Sequence, residues 1–152
     1  MVNVEQIKKL RGQTGISVAE CKKALEATGG DLEKALQSLR DVSGIIALKK
    51  AGRQLGAGVI STYIHSNQTL GAMLELDCET DFVAKNEGFK QLAQDLAMQV
   101  AAFAPQDLTE LLTQPFVKDS TQTIADVVKA GIQKFGEKIE LIRFERFVAP
   151  GQ

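Results

Sequence analysis

The sequence has little of what zinc proteins, disulfide-bonded proteins and membrane proteins require. Its 152 residues include two cysteines and one histidine, without CxxC or HxxxH spacing, so no metal site is expected. No apolar run approaches the length of a membrane span, and the N-terminus lacks the apolar core of a signal peptide. We therefore expect no membrane contact, and we expect Cys21 and Cys78 to be free, buried thiols of a reducing compartment.

A strong charge of either sign is also missing. The formal net charge is -1, with 24% charged and 44% hydrophobic residues. Nucleic-acid-binding domains are normally strongly basic, and single-strand binders set aromatic rings in a positive groove. Direct nucleic-acid binding is therefore not expected. The length suits one or two small domains around one substantial core.

Motifs of nucleotide chemistry and catalysis are missing too. GxxxxGK[ST] does not occur, and the Gly56–Gly58 segment precedes a predicted strand rather than a helix, which favours a flexible joint over a dinucleotide site. His65 lies near a predicted turn with no nucleophile identifiable nearby. The sequence therefore predicts no cofactor and no enzyme.

Residues 3–40 have the periodicity of three short helices. A capping signal precedes each helix: Asn3 with Gln6, Ser17 with Glu20, and Asp31. Behind them, apolar residues recur at helical spacing: Val4, Ile7 and Leu10; Val18, Cys21, Ala24 and Leu25; Leu32, Ala35, Leu36 and Leu39. A bundle of about 40 residues has a marginal core, so it is expected to dock on something.

The next segment, residues 41–55, contains Lys49, Lys50 and Arg53 among alanine and glycine. Two interpretations stay open. It is a solvated helix or linker between domains, or its cations contact phosphates or an acidic partner.

From residue 59 the pattern becomes that of strands. Residues 59–65 and 70–77 alternate around a turn-like segment and predict a hairpin. Residues 139–148 predict a third strand, with Ile142, Phe144 and Val148 on one face. Three helices are predicted between the hairpin and the third strand. Two begin after caps at Asn86 and Asp107, and the third is marked by apolar residues from 124 to 135. The predicted fold class is α+β, a small sheet with helices on one face.

The stretch 74–89, LELDCETDFVAKNEGF, is the least ordinary part of the chain. It places Asp81 and Phe82 side by side between a strand and a helix. Phe82 either packs in the core or enters the pocket of another molecule, and burial stabilises by roughly 1.5–3 kcal/mol in both cases. Asp77, Glu79 and Asp81 also raise the question of a metal site, but calcium loops use a different spacing with glycine at the bend.

Four segments together resemble the elongation factor Ts family, the guanine-nucleotide exchange factors of elongation factor Tu. They are TGISVAECKKALEATGGDLEKALQSLR, KKAGR, ELDCETDFVAKNEGF and FGEKIELIRFERF. The resemblance implies a ubiquitin-associated-like bundle over residues 1–40, a linker over 41–56 and a core, dimerisation-type domain over 57–152. That core would contain a three-stranded antiparallel sheet with helices packed on it.

The resemblance also implies which residues meet the partner. In the family, the segment that matches Thr80, Asp81, Phe82 and Val83 is inserted beside the nucleotide site of the G domain of elongation factor Tu. It dislodges the Mg²⁺ that helps to hold GDP, and GTP then rebinds. Phe82 would be the wedge and Asp81 the adjacent polar contact. Further contacts of the N-terminal domain with the G domain match Ile16, Ser17, Val18, Ala19 and Lys22.

Two departures from the family pattern bear on these expectations. Long members carry two core subdomains, whereas this sequence is similar to the short form with one. Short members can form a homodimer in which a second copy supplies the missing contacts, so a homodimer is the second expected partner. The segments GEKI and Gln54–Ala57 differ from the commoner versions without touching the wedge.

Two other protein classes compete with this interpretation. A ubiquitin-type adaptor would need only residues 3–40 and has no reason for TDFV after a strand. A ribosome- or RNA-associated protein would need the basic, aromatic-studded face that is missing here. The expected location is the bacterial cytoplasm, or alternatively the plastid stroma or another organelle matrix.

Overall fold

Helices come first along the chain, and strands and helices then alternate. The computed structural model describes residues 1–151. Its elements are α1 Val4–Thr14, α2 Val18–Ala27, α3 Leu32–Lys50, β1 Ala57–Ile64, β2 Leu70–Cys78, α4 Asp81–Ala84, α5 Glu87–Phe103, α6 Leu108–Thr113, β3 Pro115–Phe116, β4 Asp119–Thr123, α7 Ile124–Phe135 and β5 Ile139–Val148. Within residues 1–151, no helix is both long and apolar enough to cross a lipid bilayer.

The first three helices form the predicted bundle. Asn3 and Gln6 exchange bonds as a capping box, with Gln6 N donating to Asn3 Oδ1 at 2.8 Å. Ser17 Oγ accepts from Glu20 N at 3.3 Å, which is one half of the box predicted there. The bundle core consists of Leu10, Ile16, Cys21, Ala24, Leu25, Ala35 and Leu39. Val4 and Val18 were predicted on the apolar faces, but each is the first residue of its helix and is exposed.

Helix α3 joins the bundle to the rest of the chain. It runs to Lys50, past the predicted bundle end at residue 40 and through most of the predicted linker. Its second half packs on α7, where Ser43 Oγ donates to Gln133 Oε1. The Arg40 guanidinium donates to Thr121 O and Oγ1 at 3.2 and 3.1 Å. The expectation that the bundle docks is thus met within the chain itself.

The sheet follows the strand order β1-β2-β5, with both pairs antiparallel. Leu74, Leu76 and Cys78 of β2 turn to one face, where α5 covers them with Phe89 and Leu96. All five side chains have an exposed fraction of 1% or less. The α+β class, with an N-terminal bundle and a three-stranded antiparallel sheet that carries helices, is confirmed.

Strand β5 contains an extra residue within the predicted alternation. Leu141 pairs with Leu76 and Phe144 pairs with Leu74, so Ile142 is an extra residue and the register shifts there. Leu141 and Phe144 contribute to the core. From Ile142 to Arg146 the side chains are alternately half-buried and exposed, which agrees with the prediction that Ile142 and Phe144 share a face opposite Arg143 and Glu145. The extra residue after Leu141 was not predicted. A bulge adds one residue to one strand, and a strict period of two cannot represent it.

A second, two-stranded sheet of β3 and β4 was not predicted. The side chain of Gln99, on α5, is fully buried beside it and takes the place of a neighbouring strand. Gln99 Nε2 donates to Pro115 O at 3.0 Å, and Val117 N donates to Gln99 Oε1 at 2.8 Å. These bonds satisfy a buried amide and fix the hairpin to α5.

Candidate functional site

The segment that carries Phe82 is a single helical turn between β2 and α5. Thr80 is its N-cap in extended conformation (φ −129°, ψ 153°), and its Oγ1 accepts from Val83 N at 3.4 Å. Asn86 then begins α5, and its Oδ1 accepts from Gly88 N at 2.7 Å. Local hydrogen bonds thus cap the start of α4 at Thr80 and the start of α5 at Asn86.

The side chains of this turn point in opposite directions. Phe82 is 86% exposed, the highest value for a large apolar side chain in residues 1–151 after the terminal Met1. Asp81 is also exposed, whereas Val83 is 6% exposed and packs in the core. Phe82 is therefore not a core residue, which removes one of the two interpretations left open by the sequence. The predicted four-residue segment divides into an outward Asp81-Phe82 pair and an inward Val83.

The carboxylate of Glu137 holds the start of the turn. Its Oε1 accepts from Glu79 N at 3.1 Å and from Thr80 N at 3.0 Å. Its Oε2 accepts from Thr80 Oγ1 at 2.6 Å. Hydrogen bonds to an ionised acceptor are shorter and stronger than neutral ones. Glu137 was not among the residues predicted from the sequence, because it lies 57 residues beyond Thr80 and no local pattern connects the two.

Further polar contacts connect the end of β2, the α7–β5 turn and the C-terminal end of α3 with the residues that follow it. Glu79 Oε1 accepts from Lys138 N at 3.2 Å and lies 3.5 Å from Arg53 Nη1. Lys50 Nζ donates to Gly136 O at 2.9 Å. Two of the three cations of the basic segment therefore have partners within the chain, which favours the linking interpretation over a phosphate contact.

The neighbouring acids do not form a cluster. Glu79 is bound to Lys138 N, and Asp81 lies on the exposed turn. Burial and then the neighbouring Glu75 raise the pKa of Asp77 above its ordinary value. Over the described part of the chain, no group of three or more His, Cys, Asp or Glu side chains is placed to hold a metal ion.

The predicted flexible joint at residues 56–58 is partly a strand. Gly56 N donates to Cys78 O at 3.1 Å, and Gly58 lies within β1 opposite Asp77. A side chain on Gly58 would collide with the Asp77 carboxylate. The prediction of a flexible joint is therefore wrong for Ala57 and Gly58, which lie within β1.

The predicted contacts of the N-terminal domain lie at the start of α2. Ser17, Val18, Ala19 and Lys22 are exposed, and Lys22 lies 3.8 Å from Glu26 in a surface ion pair. Ile16 is only 5% exposed and belongs to the bundle core. Four of the five residues thus present their side chains to solvent, and Ile16 supports them from below.

Both thiols are free and buried, as predicted. Burial raises the pKa of Cys21 and of Cys78 above the ordinary thiol value. Cys78 lies directly beneath the candidate segment, because its Sγ donates to Thr80 O at 3.3 Å.

Fold and site together define a class of protein. It joins a small three-helix module to an α+β core that presents one exposed aromatic side chain just past a strand. A family model described as "UBA-like domain" matches residues 5–38, and one described as "Elongation factor TS" matches residues 79–152. The second match begins at Glu79 and so includes the whole Phe82 turn.

Curated relatives agree with this assignment over nearly the full chain. The elongation factor Ts of Desulforamulus reducens is 38% identical over 191 aligned positions, which cover 96% of this chain and 88% of the relative. That of Thermodesulfovibrio yellowstonii is 38% identical over 96% of this chain and 95% of the relative. That of Leptospira biflexa is 35% identical over 99% and 98%. The chain belongs to the elongation factor Ts family and is a translation elongation factor that acts as a nucleotide exchange factor of elongation factor Tu.

Proposed function

We propose that this chain releases GDP from elongation factor Tu by inserting the Thr80–Val83 turn near the nucleotide site and dislodging Mg²⁺, after which GTP rebinds. The observation that supports the proposal is the exposure of Phe82, 86%, on a turn whose backbone is bonded to the rest of the core. An aromatic side chain held in this way can enter a pocket with little further loss of conformational freedom.

The physics of exchange requires no covalent step. GDP is held by phosphate charge, by backbone amides and by Mg²⁺. A factor that binds the nucleotide-free partner more tightly than the GDP complex lowers the affinity for GDP. By linkage, GDP lowers the affinity for the factor to the same extent, so excess GTP expels it. The chain thus speeds exchange reversibly and does no covalent chemistry of its own.

Each residue of the segment receives a distinct role in this proposal. Phe82 is the wedge and Asp81 the adjacent polar contact, since both side chains face solvent. Thr80 caps the turn and Val83 anchors it in the core. A second contact with the G domain involves the exposed side chains at the start of α2, which are Ser17, Val18, Ala19 and Lys22.

A stopped-flow measurement of GDP release tests the wedge. Phe82→Ala is expected to lower the acceleration of GDP release about 30-fold, which is the effect of losing roughly 2 kcal/mol at an interface hot spot. Phe103→Ala is the matched control, because Phe103 is another partly exposed phenylalanine, at the end of α5. Addition of EDTA should shrink the advantage of the wild-type chain, since Mg²⁺ is then already removed. Full activity of Phe82→Ala would contradict the wedge.

We also propose a homodimer through the open face of the three-stranded sheet. The helices cover the other face, whereas this one exposes Ile60, Ile64, Met73 and Phe147 in adjacent strands. Contiguous exposed apolar side chains favour association, because contact removes them from water. Sedimentation velocity should show a dimer that Phe147→Glu dissociates. A monomer at all concentrations, alone and with elongation factor Tu, would contradict this proposal.

A further inference from the structure

We propose that Glu137 is a positioning residue for nucleotide exchange: its carboxylate sets the turn that presents Phe82 before the partner is met. The inference rests on the proposed function, since Glu137 acts through Phe82. It concerns a residue 55 positions away from Phe82 in the sequence, on the turn between α7 and β5.

The turn needs support from outside itself. Helix α4 has only four residues, and a helix of this length is not stable alone because nucleation is unfavourable. Its local cap is weak, since the bond from Val83 N to Thr80 Oγ1 is 3.4 Å long. The three bonds to Glu137 are shorter, at 2.6–3.1 Å, and they fix the two residues that precede α4.

Glu137 is itself well placed to act as a support. Gly136 ends α7 in the left-handed conformation (φ 73°), and its N–H donates to Ile132 O at 3.0 Å. On the other side of Glu137, Lys138 N donates to the Glu79 carboxylate at 3.2 Å. Two carboxylates therefore cross between the strand end and the α7–β5 turn, and each binds backbone N–H of the other segment.

Fixing the turn in advance affects exchange in a specific way. A loosened turn can still bring Phe82 to the partner, but ordering it then costs free energy during insertion. Glu137→Ala is therefore expected to lower the rate of GDP release at saturating factor about tenfold, with a smaller change in the half-saturating concentration. Glu137→Gln keeps Oε1 as an acceptor for both amides and should restore the rate to within about threefold of wild type.

A double-mutant cycle provides the sharper test. If Glu137 acts through Phe82, Glu137→Ala should change the rate less than about twofold when Phe82 is already alanine. A tenfold loss in both backgrounds would overturn the inference, and so would a folded Glu137→Ala chain with the wild-type rate. An unchanged rate in Phe82→Ala would instead remove the proposed wedge, and with it this inference.

A structural measurement shows whether the bonds to Glu137 exist in solution. Amide hydrogen exchange at Glu79 and Thr80 should become faster in Glu137→Ala while the amides of α5 keep their protection. Unchanged exchange at both amides would overturn the inference. Should Glu137→Ala fail to fold, Thr80→Val takes its place, because it removes only the hydroxyl bonds. Thr80→Ser, which keeps these bonds, is the matched control. Equal rates of amide hydrogen exchange at positions 79 and 80 in the two variants would overturn the inference.

Discussion

Two helix starts in this chain look alike locally and are stabilised in different ways. Both α2 and α4 follow a hydroxyl N-cap, Ser17 or Thr80, whose oxygen accepts from the amide three residues on. Both expose an apolar side chain in the first turn, Val18 or Phe82. However, α2 has ten residues and buries Cys21, Ala24 and Leu25, whereas α4 has four, buries Val83 and Ala84, and is also bonded at its start to Glu137 from another part of the chain. The longer helix is stabilised by its own buried side chains, whereas the single turn is stabilised in addition by hydrogen bonds to a distant carboxylate.

The largest expected effect is on the helix that anchors itself. Leu25 of α2 is completely buried in the bundle. Leu25→Ala should lower the free energy of unfolding by about 2–5 kcal/mol, since it leaves a cavity. Phe82→Ala should change it by less than about 0.5 kcal/mol, because the side chain is exposed. Urea unfolding measures both, and a loss of comparable size in the two variants would show that Phe82 packs in the core in solution.

The two hydroxyl caps should differ by a smaller amount. Ser17→Ala removes one bond and is expected to cost about 1 kcal/mol of unfolding free energy. Thr80→Ala removes both the cap and the hydroxyl bond to the Glu137 carboxylate, so we expect about 2 kcal/mol. Thermal unfolding compares the two variants at equal concentration. The reverse order would mean that α4 is held by its own cap and not by the distant carboxylate.

The smallest effect concerns a cap that titrates. Asp31 is the N-cap of helix α3, and the bond from Lys34 N, together with the charge of Lys34, lowers the pKa of this carboxyl below its ordinary value. The folded pKa is thus below the unfolded value of about 3.9. The contribution of Asp31 to stability is present above that value and is lost as the pH falls through the folded pKa.

Replacing Asp31 distinguishes a cap that titrates from the hydroxyl caps, which do not. Asp31→Asn should unfold with a weaker pH dependence below about pH 4 than the wild-type chain, whereas Ser17→Ala should keep the wild-type dependence, because a hydroxyl does not titrate there. Unfolding followed by circular dichroism between pH 2 and 5 gives the comparison. Identical pH profiles for Asp31→Asn and the wild type would contradict a role for the charged cap.

The same contrast explains what the sequence could and could not predict. Caps at Asn3, Asp31 and Asn86 act over three or fewer residues, so their side chains announce the helices that follow. Glu137 accepts a bond from Thr80, 57 residues away, and Gln99 bonds a hairpin whose largely polar sequence does not predict strands. Neither leaves a periodic trace. Phe82 was ambiguous for another reason: burial in the core and burial in a partner stabilise a phenylalanine equally, and only the backbone path distinguishes them.

The continuous helix α3 has a consequence for affinity. Its 19 residues span about 28 Å, and the bundle lies at one end while Lys50 is bonded to the α7–β5 turn at the other. The bundle therefore cannot swing freely about a linker. For the two proposed contacts with elongation factor Tu, the spacing is set before the first one forms. If the spacing fits, the second contact forms at a high effective concentration. If it does not fit, the effective concentration is almost zero. A glycine inserted in α3 would change avidity without altering either contact surface.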